Sequence, residues 1–339
     1  MSKNIAHSIR HRLRDKLPPR TLEAVRYARA KYVYTGFLLR LHRELKKSNH
    51  PSGRLAPSPR AIRSRTSPQT TVLFFPESPS DRSMAFNLCT MLGYAITTDP
   101  DGHWDVAFKW QDTTFFDRSL LDRLPQDIPV INRGSVDISK TAVDRAMQQV
   151  FGYSARIDPT QYIGPAVQKS DLNGTHDGQI IDCPVPEELL RPGYVYQKLI
   201  DSALSTDIVG SFRVPLHGQR IPVVYLFYRP VERRFGSSSE SRRFRVSGHR
   251  HFAEPHDVFS KDELKSILAF ARHIGLDFGA LDILRDKADG RIYIVDANNT
   301  PGGRGGRWPR ALKRAVRERL AQSFAEMVQE SRRSEMVTT

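Results

Sequence analysis

From Thr70 onward, short apolar runs alternate with amphipathic stretches. Thr71–Phe75, Trp104–Trp110 and Val130–Asn132 are brief and rich in β-branched and aromatic residues, a pattern of buried strands. Between them, Ser83–Leu92 and Ser119–Leu124 carry helical periodicity, so the segment predicts a small α/β unit with a parallel sheet. A helix over Lys140–Phe151 follows, then strands near Ala166–Lys169, Gln179–Ile181 and Tyr194–Ile200. The stretch Val209–Tyr228 reads as a strand pair turning at His217-Gly218. Ser260 with Glu263 three positions on is a capping box, which opens an amphipathic helix reaching Ile274. A last helix is expected from about Pro309 to Ser331.

Between these two helices lies Gly279–Gly306, where two apolar runs flank Asp286-Lys287-Ala288-Asp289-Gly290. The Asp-Gly pair supplies the left-handed backbone of a hairpin turn. Folding back about position 289 sets Asp282 opposite Asp296, and the two-residue period puts Asn298 on the face of Asp296. Two carboxylates in a largely apolar hairpin are costly unless a raised pKa, a basic partner or a cation compensates them. Two carboxylates and one amide form an all-oxygen set suited to Mg²⁺. The same residues, Asp296 to Pro301, also read as a polar strand end capping a turn.

The charge changes the picture at the N-terminus. The 339-residue chain has a formal charge of +15, but residues 1–65 hold 17 Lys/Arg against 3 Asp/Glu, while the remainder holds 35 against 34. The basic character belongs to an arm, and the body is balanced. Residues 1 to about 48 read as helical segments broken at Pro18-Pro19. The second segment, Thr21–Lys47, is amphipathic and basic: it suits an anionic membrane, nucleic acid or an acidic protein, or equally a helix packed on its own domain. Residues 49–69, rich in Pro, Ser and Arg, read as a linker. Cys89 and Cys183 lack the spacing of a zinc site or disulfide framework. No run approaches the roughly 18–20 apolar residues of a membrane span. A cytoplasmic protein is expected, peripheral at the inner membrane surface if the arm binds lipid.

Candidate chemistry elsewhere is mostly cationic. The sequence has neither GxGxxG nor GxxxxGK[ST]. The loop Ser170–Gly178, after a strand carrying Lys169, has two glycines and small polar residues; it can fold over phosphates or serve as a polar hairpin loop. Arg213 and Arg229 stand on the strand pair, and Arg233, Arg234, Arg242, Arg243 and Arg245 follow in a Ser/Gly-interrupted stretch that reads as a loop. His249, His251 and His256 lack the neighbours of a metal motif.

In this order, and with Asp282 followed by Asp296-Ala297-Asn298-Asn299-Thr300-Pro301-Gly302, residues 70 to 310 resemble the ATP-grasp superfamily of carboxylate–amine ligases. The resemblance implies an α/β (α+β) ATP-grasp fold. Its expected divisions are a basic arm and linker at 1–69, an α/β pre-domain at 70–139, a nucleotide and metal domain at 140–310, and a C-terminal helix and tail at 311–339. It implies Asp282, Asp296 and Asn298 as ligands of one or two Mg²⁺ ions, or Mn²⁺, bridging the phosphates of ATP. Lys140 and Lys169 look like the phosphate-contacting lysines, and Asn173-Gly174 belongs to the covering loop. Gln197, Lys198, Leu199 and Ile200 resemble the hinge whose backbone recognises adenine, with Asp201 or Asp207 for the ribose. Arg213, Arg229 and Lys169 would carry the catalytic charges. The chain departs from the pattern in having Asp296 for the commoner glutamate, Lys198 where an acid is frequent, and fewer glycines in the loop.

The implied activity is ATP- and Mg²⁺-dependent ligation of a small-molecule carboxylate to an amine or similar nucleophile, by way of an acyl phosphate. Gly302–Arg307 follows the metal motif and suits a substrate carboxylate, or a flexible glycine-arginine segment. Two other outcomes fit the same residues: a nucleotide-binding relative without ligase activity, tethered by its arm, and a kinase that stops at phosphoryl transfer.

Overall fold

The computed structural model describes residues 35–47, 70–125, 128–235, 249–303 and 310–336. Most of the basic arm, the linker, Arg242, Arg243, Arg245 and Arg304–Arg307 lie outside the described residues. The described part of the arm is a helix, α1, at 35–47.

The first apolar runs become a four-stranded parallel sheet in the order β2-β1-β3-β4. Its strands are β1 (Thr71–Pro76), β2 (Ala95–Thr97), β3 (Val106–Trp110) and β4 (Val130–Ile131). Helix α2 (Met84–Leu92) joins β1 to β2; Ser83 caps it by accepting the Phe86 N–H, and Gly93 closes it at φ 70°. One sheet face stacks Phe74 on Phe108, with ring centroids 5.1 Å apart, and continues into Phe278 and Phe324. The other buries Leu73, Phe75 and Ala107 under Phe116, Leu121 and Leu124.

Next come α3 (Lys140–Phe151), capped by Ser139 and Gly152, and a three-stranded antiparallel sheet β6-β5-β7. Its strands are β5 (Gly164–Ser170), β6 (Gln179–Cys183) and β7 (Tyr194–Lys198). A larger antiparallel sheet runs β11-β10-β9-β12-β13, with β8 also paired to β9. It comprises β8 (Ala203–Ser205), β9 (Ile208–His217), β10 (Val224–Pro230), β11 (His249–Ala253), β12 (Phe278–Arg285) and β13 (Ile292–Asn298). The short α4 (Pro255–Val258) and α5 (Lys261–His273) connect β11 to β12, and α5 carries the Ser260/Glu263 capping box. The chain's last described element is α6 (Arg310–Met336).

The two faces of the large sheet have different fates, as strand alternation dictates. Val214, Leu216, Leu281 and Ile283 face α3 and α5 in one core. Nearer the other edge, Leu226, Tyr228 and Ile208 take Phe37 and Leu41 of α1, each 2% exposed. Each such buried side chain contributes roughly 1.5–3 kcal/mol, so α1 is held by its apolar stripe while Arg40, Arg43, Lys46 and Lys47 stay exposed. Among the described residues, no helix is long and apolar enough to cross a membrane. The stretch expected to be a loop up to the histidines ends in β11, where His251 lies against Tyr228 in the sheet.

Candidate functional site

The opposite face of the large sheet forms the floor of a cavity of about 900 Å³. Alternate residues reach it: Val209, Ser211 and Arg213 from β9, Tyr225, Phe227 and Arg229 from β10, and Ala280, Asp282 and Leu284 from β12. The three-stranded sheet supplies Val167 and Lys169, and β7 with its exit supplies Gln197 through Ile200.

At one end of the floor the strands align three charges. Asp282 pairs with Asp296 on β13 and with Arg213 on β9. The hairpin turn holds Gly290 at φ 71°, and a bulge between Asp282 and Ile283 sends Val295 to the cavity wall while Ile294 stays opposite Ile283. Gly279 allows the closest approach of the two strands: a Cβ there would lie 2.5 Å from the Asn298 carbonyl oxygen. Arg213 Nη1 sits 3.3 Å from each Asp282 oxygen. Asp296 Oδ1 is buried with no hydrogen-bond partner among the described residues, and Lys140 Nζ is 3.9 Å from it. Burial, then the Asp282 charge, push the Asp296 carboxyl up to about 6, against the pull of Lys140, Lys169 and Arg213.

Lys169 donates to the Val295 carbonyl at 3.1 Å, and burial lowers its ammonium to about 8 in spite of Asp296. Lys140, at the start of α3 and 7% exposed, donates to the Leu172 carbonyl at 2.6 Å. Asn173 ties its loop over the hairpin: its Nδ2 donates to the Ala297 carbonyl at 2.7 Å and its N–H to Thr114 Oγ1 at 2.8 Å. Gly174 beside it holds φ 74°. Arg229 lies four residues along β10 from Arg213's partner Tyr225, on the same face, and desolvation lowers its guanidinium despite Asp282.

Other expected residues have different surroundings. Asp207 stands on the β8–β9 turn, 2.7 Å from Arg40 of α1, and accepts from Ser205 Oγ; it is not part of the cavity wall. Asp201 accepts the Ala203 N–H, also off the wall, so Ser202 is the polar residue that lines the cavity there. Lys198 turns its ammonium to Asp286 at 3.1 Å, Asp289 at 3.5 Å and the Tyr293 ring. The hinge backbone is partly engaged, the Lys198 N–H with Ala155 and the Leu199 N–H with Pro165. Asn298 Oδ1 accepts the Thr300 N–H at 2.8 Å, so it caps the turn as well as sharing the strand of Asp296.

Of three further contributors, only Arg234 carries a sequence signal, as one of the loop arginines. Asp144 of α3, 1% exposed, accepts from the Gln197 side chain at 2.7 Å, and burial raises its carboxyl. Arg234 reaches the wall from the exit of β10. Arg82, just ahead of α2, and Lys313 and Arg317 of α6 are the third; the spacing of Lys313 and Arg317 marks one helix face but not its neighbour.

Does this donor set fit a divalent cation? Among the described residues, no group of three or more His, Cys, Asp or Glu side chains is placed to hold one. Asp282 and Asp296 are nevertheless paired hard oxygen donors, one oxygen of Asp296 is buried without a partner, and Arg213 already sits as a cation against Asp282. That chemistry fits Mg²⁺ with its remaining positions filled by water and phosphate oxygens.

No protein-family model and no curated protein matches the chain. Solved structures are similar in fold. D-alanine–D-alanine ligase from Bacillus anthracis, complexed with ATP, is 13% identical, with 78% of this chain and 98% of that one covered and a TM-score of 0.49. The ATP-grasp ligase PsnB, complexed with a phosphomimetic variant of its minimal precursor, Mg and ADP, is 12% identical, with coverage of 76% and 98% and a TM-score of 0.48. The macrocyclase MdnC from Microcystis aeruginosa, bound to precursor peptide MdnA, is 13% identical, with coverage of 76% and 100% and a TM-score of 0.42. Each of these is what the chain is similar to, over about three quarters of its length.

Proposed function

We propose that this chain is an ATP- and Mg²⁺-dependent ligase that activates a small-molecule carboxylate and couples it to an amine or similar nucleophile. The observation that carries the reading is the row Arg213–Asp282–Asp296 across β9, β12 and β13, at one end of the cavity with Lys169 and Lys140 beside it. Such a row places anionic ligands for a cation next to fixed cations for phosphate oxygens, which is what phosphoryl transfer requires of a protein.

Asp282 and Asp296 are the residues that would hold Mg²⁺, with Asn298 beside them on the strand. Bound there, Mg²⁺ neutralises phosphate charge. Lys169 and Lys140 hold the triphosphate, the loop at Asn173-Gly174 covers it, and Val167, Leu199, Leu284 and Val295 suit the apolar faces of the base. Arg213 and Arg229 hold the reacting carboxylate and the transferred group. A carboxylate oxygen attacks the γ-phosphorus as its bond to the β-bridging oxygen of ADP breaks. The nucleophile then attacks the acyl carbon, phosphate leaves with the electrons of the C–O bond, and the amine's proton passes to solvent.

The test is ADP release by the full-length chain with Mg²⁺ and ATP across pooled amino acids, hydroxy acids and sugar acids, with mass detection of the product. Asp296→Ala should abolish release while leaving the circular dichroism spectrum unchanged. Substantial turnover in that variant would sink the site assignment, and phosphorylated product without coupling would replace the ligase with a kinase.

A further inference from the structure

Two segments leave the carboxyl end of the first sheet and lie against each other. Thr114–Phe116, after β3, runs antiparallel to Val136–Ile138, after β4. The Ile138 N–H donates to the Thr114 carbonyl at 3.0 Å, and the Phe116 N–H to the Val136 carbonyl at 2.8 Å. Lys109 of β3 joins both limbs from beneath. It is 1% exposed, its ammonium donates to the Ser135 carbonyl, and it lies 4.5 Å from the centroid of the Phe116 ring. Among the described residues it has no carboxylate within 4.0 Å. A buried ammonium is costly unless its donors are answered, and here one limb supplies the carbonyl and the other the ring face. Parting the limbs would strand the charge.

Each limb leads to a group on the nucleotide side of the cavity. The second runs through Ser139 into α3 and Lys140. The first turns Thr114 Oγ1 to the Asn173 N–H at 2.8 Å, across 59 residues of chain. The base of the 171–177 loop is held by α3 in its own right. The Asp171 carbonyl accepts the Lys140 N–H at 3.2 Å, the Asp171 carboxylate the Thr141 N–H at 2.8 Å, and the Leu172 carbonyl Lys140 Nζ at 2.6 Å. The tip is different. Gly174 and His176 turn it at φ 74° and 52°, and Thr175 bonds to Leu172 and Asp177 of the same loop. Among the described residues, the hydrogen bonds that tie 173–176 to other segments are the two made by Asn173, to Thr114 and to the Ala297 carbonyl beside Asp296.

We propose that Thr114 is a positioning residue for the phosphate-covering loop: its hydroxyl holds Asn173, so that the loop meets the triphosphate already ordered. This rests on the nucleotide reading of the cavity. A loop ordered beforehand binds without the entropy cost of immobilisation, whereas a loop that the ligand must order loses that share of affinity. The loss falls on the phosphates, because the base, set against Val167 and Leu199, lies away from the tip.

Competition against a fluorescent ATP analogue, with Mg²⁺ and the full-length chain, measures the affinities of ATP and adenosine. Thr114→Val keeps the volume of the side chain and removes the acceptor. It should lower the ratio of ATP to adenosine affinity about tenfold with adenosine binding unchanged, and Thr114→Ser should restore the ratio. Hydrogen exchange read by mass spectrometry should be about tenfold faster across 172–176 in nucleotide-free Thr114→Val. An unchanged ratio, an equal loss of ATP and adenosine, no recovery in Thr114→Ser, or unchanged exchange would each overturn the positioning role while leaving the nucleotide reading intact. A wild-type chain that binds no ATP would overturn both.

Discussion

Arg213 holds Nη1 3.3 Å from both carboxylate oxygens of Asp282, its register partner on the neighbouring strand. Both side chains are about one-third exposed, 28% and 39%, so the pair contributes at most about 1 kcal/mol to stability. Its value lies in position. Arg213→Ala should lower ADP release by about a hundredfold or more, as removal of a fixed charge from a reacting centre does, while the melting temperature moves by only a few degrees. Arg213→Lys should recover part of the activity, because a point charge lacks the planar fork. Unchanged turnover in Arg213→Ala would remove the residue from the machinery.

Asp296 sets a pH dependence with two signs. Its folded-state carboxyl is raised to about 6 from 3.8, so the folded chain binds the extra proton between those values. Without divalent cation, this group's contribution to stability therefore falls as pH rises from about 4 to 6. Cation binding has the opposite trend, strengthening as pH rises through about 6, because the carboxyl must ionise. Melting curves from pH 4 to 7 with and without Mg²⁺ should show the cation-induced rise grow with pH. Asp296→Asn should flatten both trends and raise the cation-free melting temperature at pH 7.

Gln197 and Asp144 form a buried pair at 2.7 Å, and Asp144 Oδ1 has no hydrogen-bond partner among the described residues. Gln197→Leu strands the carboxyl entirely and should destabilise the chain by roughly 1–3 kcal/mol. Asp144→Asn keeps an acceptor for the glutamine amide and removes the charged form, so it should be neutral or stabilising. Chemical denaturation of both variants checks the order, and a strongly destabilised Asp144→Asn would contradict it.

His217 is fully buried, stacked on Phe278 with centroids 5.2 Å apart, and neither ring nitrogen has a hydrogen-bond partner among the described residues. Burial, reinforced by Arg220, pushes its imidazole down to about 3. Between pH 6.5 and 3 only the unfolded chain takes up this proton, so stability is lost as pH falls through that window. His217→Phe should raise the melting temperature at neutral pH by about 2 °C, corresponding to an orphaned polar group worth about 1 kcal/mol. It should also reduce the acid sensitivity, which calorimetry at pH 4.5 and 7 would measure.

Much of the hairpin was legible because its determinants are local. An Asp-Gly turn and a two-residue period place Asp282 across from Asp296 whatever surrounds them, and the structure has that register. The caps at Ser83, Ser139 and Ser260 are likewise short-range and start their helices where the sequence implies. The final helix runs to Met336, past the expected Ser331, because its polar end offers no stop signal.

The sequence by itself determined most of the order of strands and helices, β2, β8 and β11 excepted, together with the parallel character of the first sheet and the pairing of the two aspartates, since each follows from side-chain spacing over a few residues. Only the tertiary structure decided which charges are free for chemistry. Asp207 is engaged by Arg40 and Lys198 by Asp286 and Asp289, while Arg213 meets Asp282 across 69 residues of chain. It also brought α6 against α2 and the sheet, adding Lys313 and Arg317 to a cavity begun more than a hundred residues earlier. Coulomb interactions and desolvation depend on distance in space, and no local periodicity encodes which distant strand or helix will pack within a few ångströms.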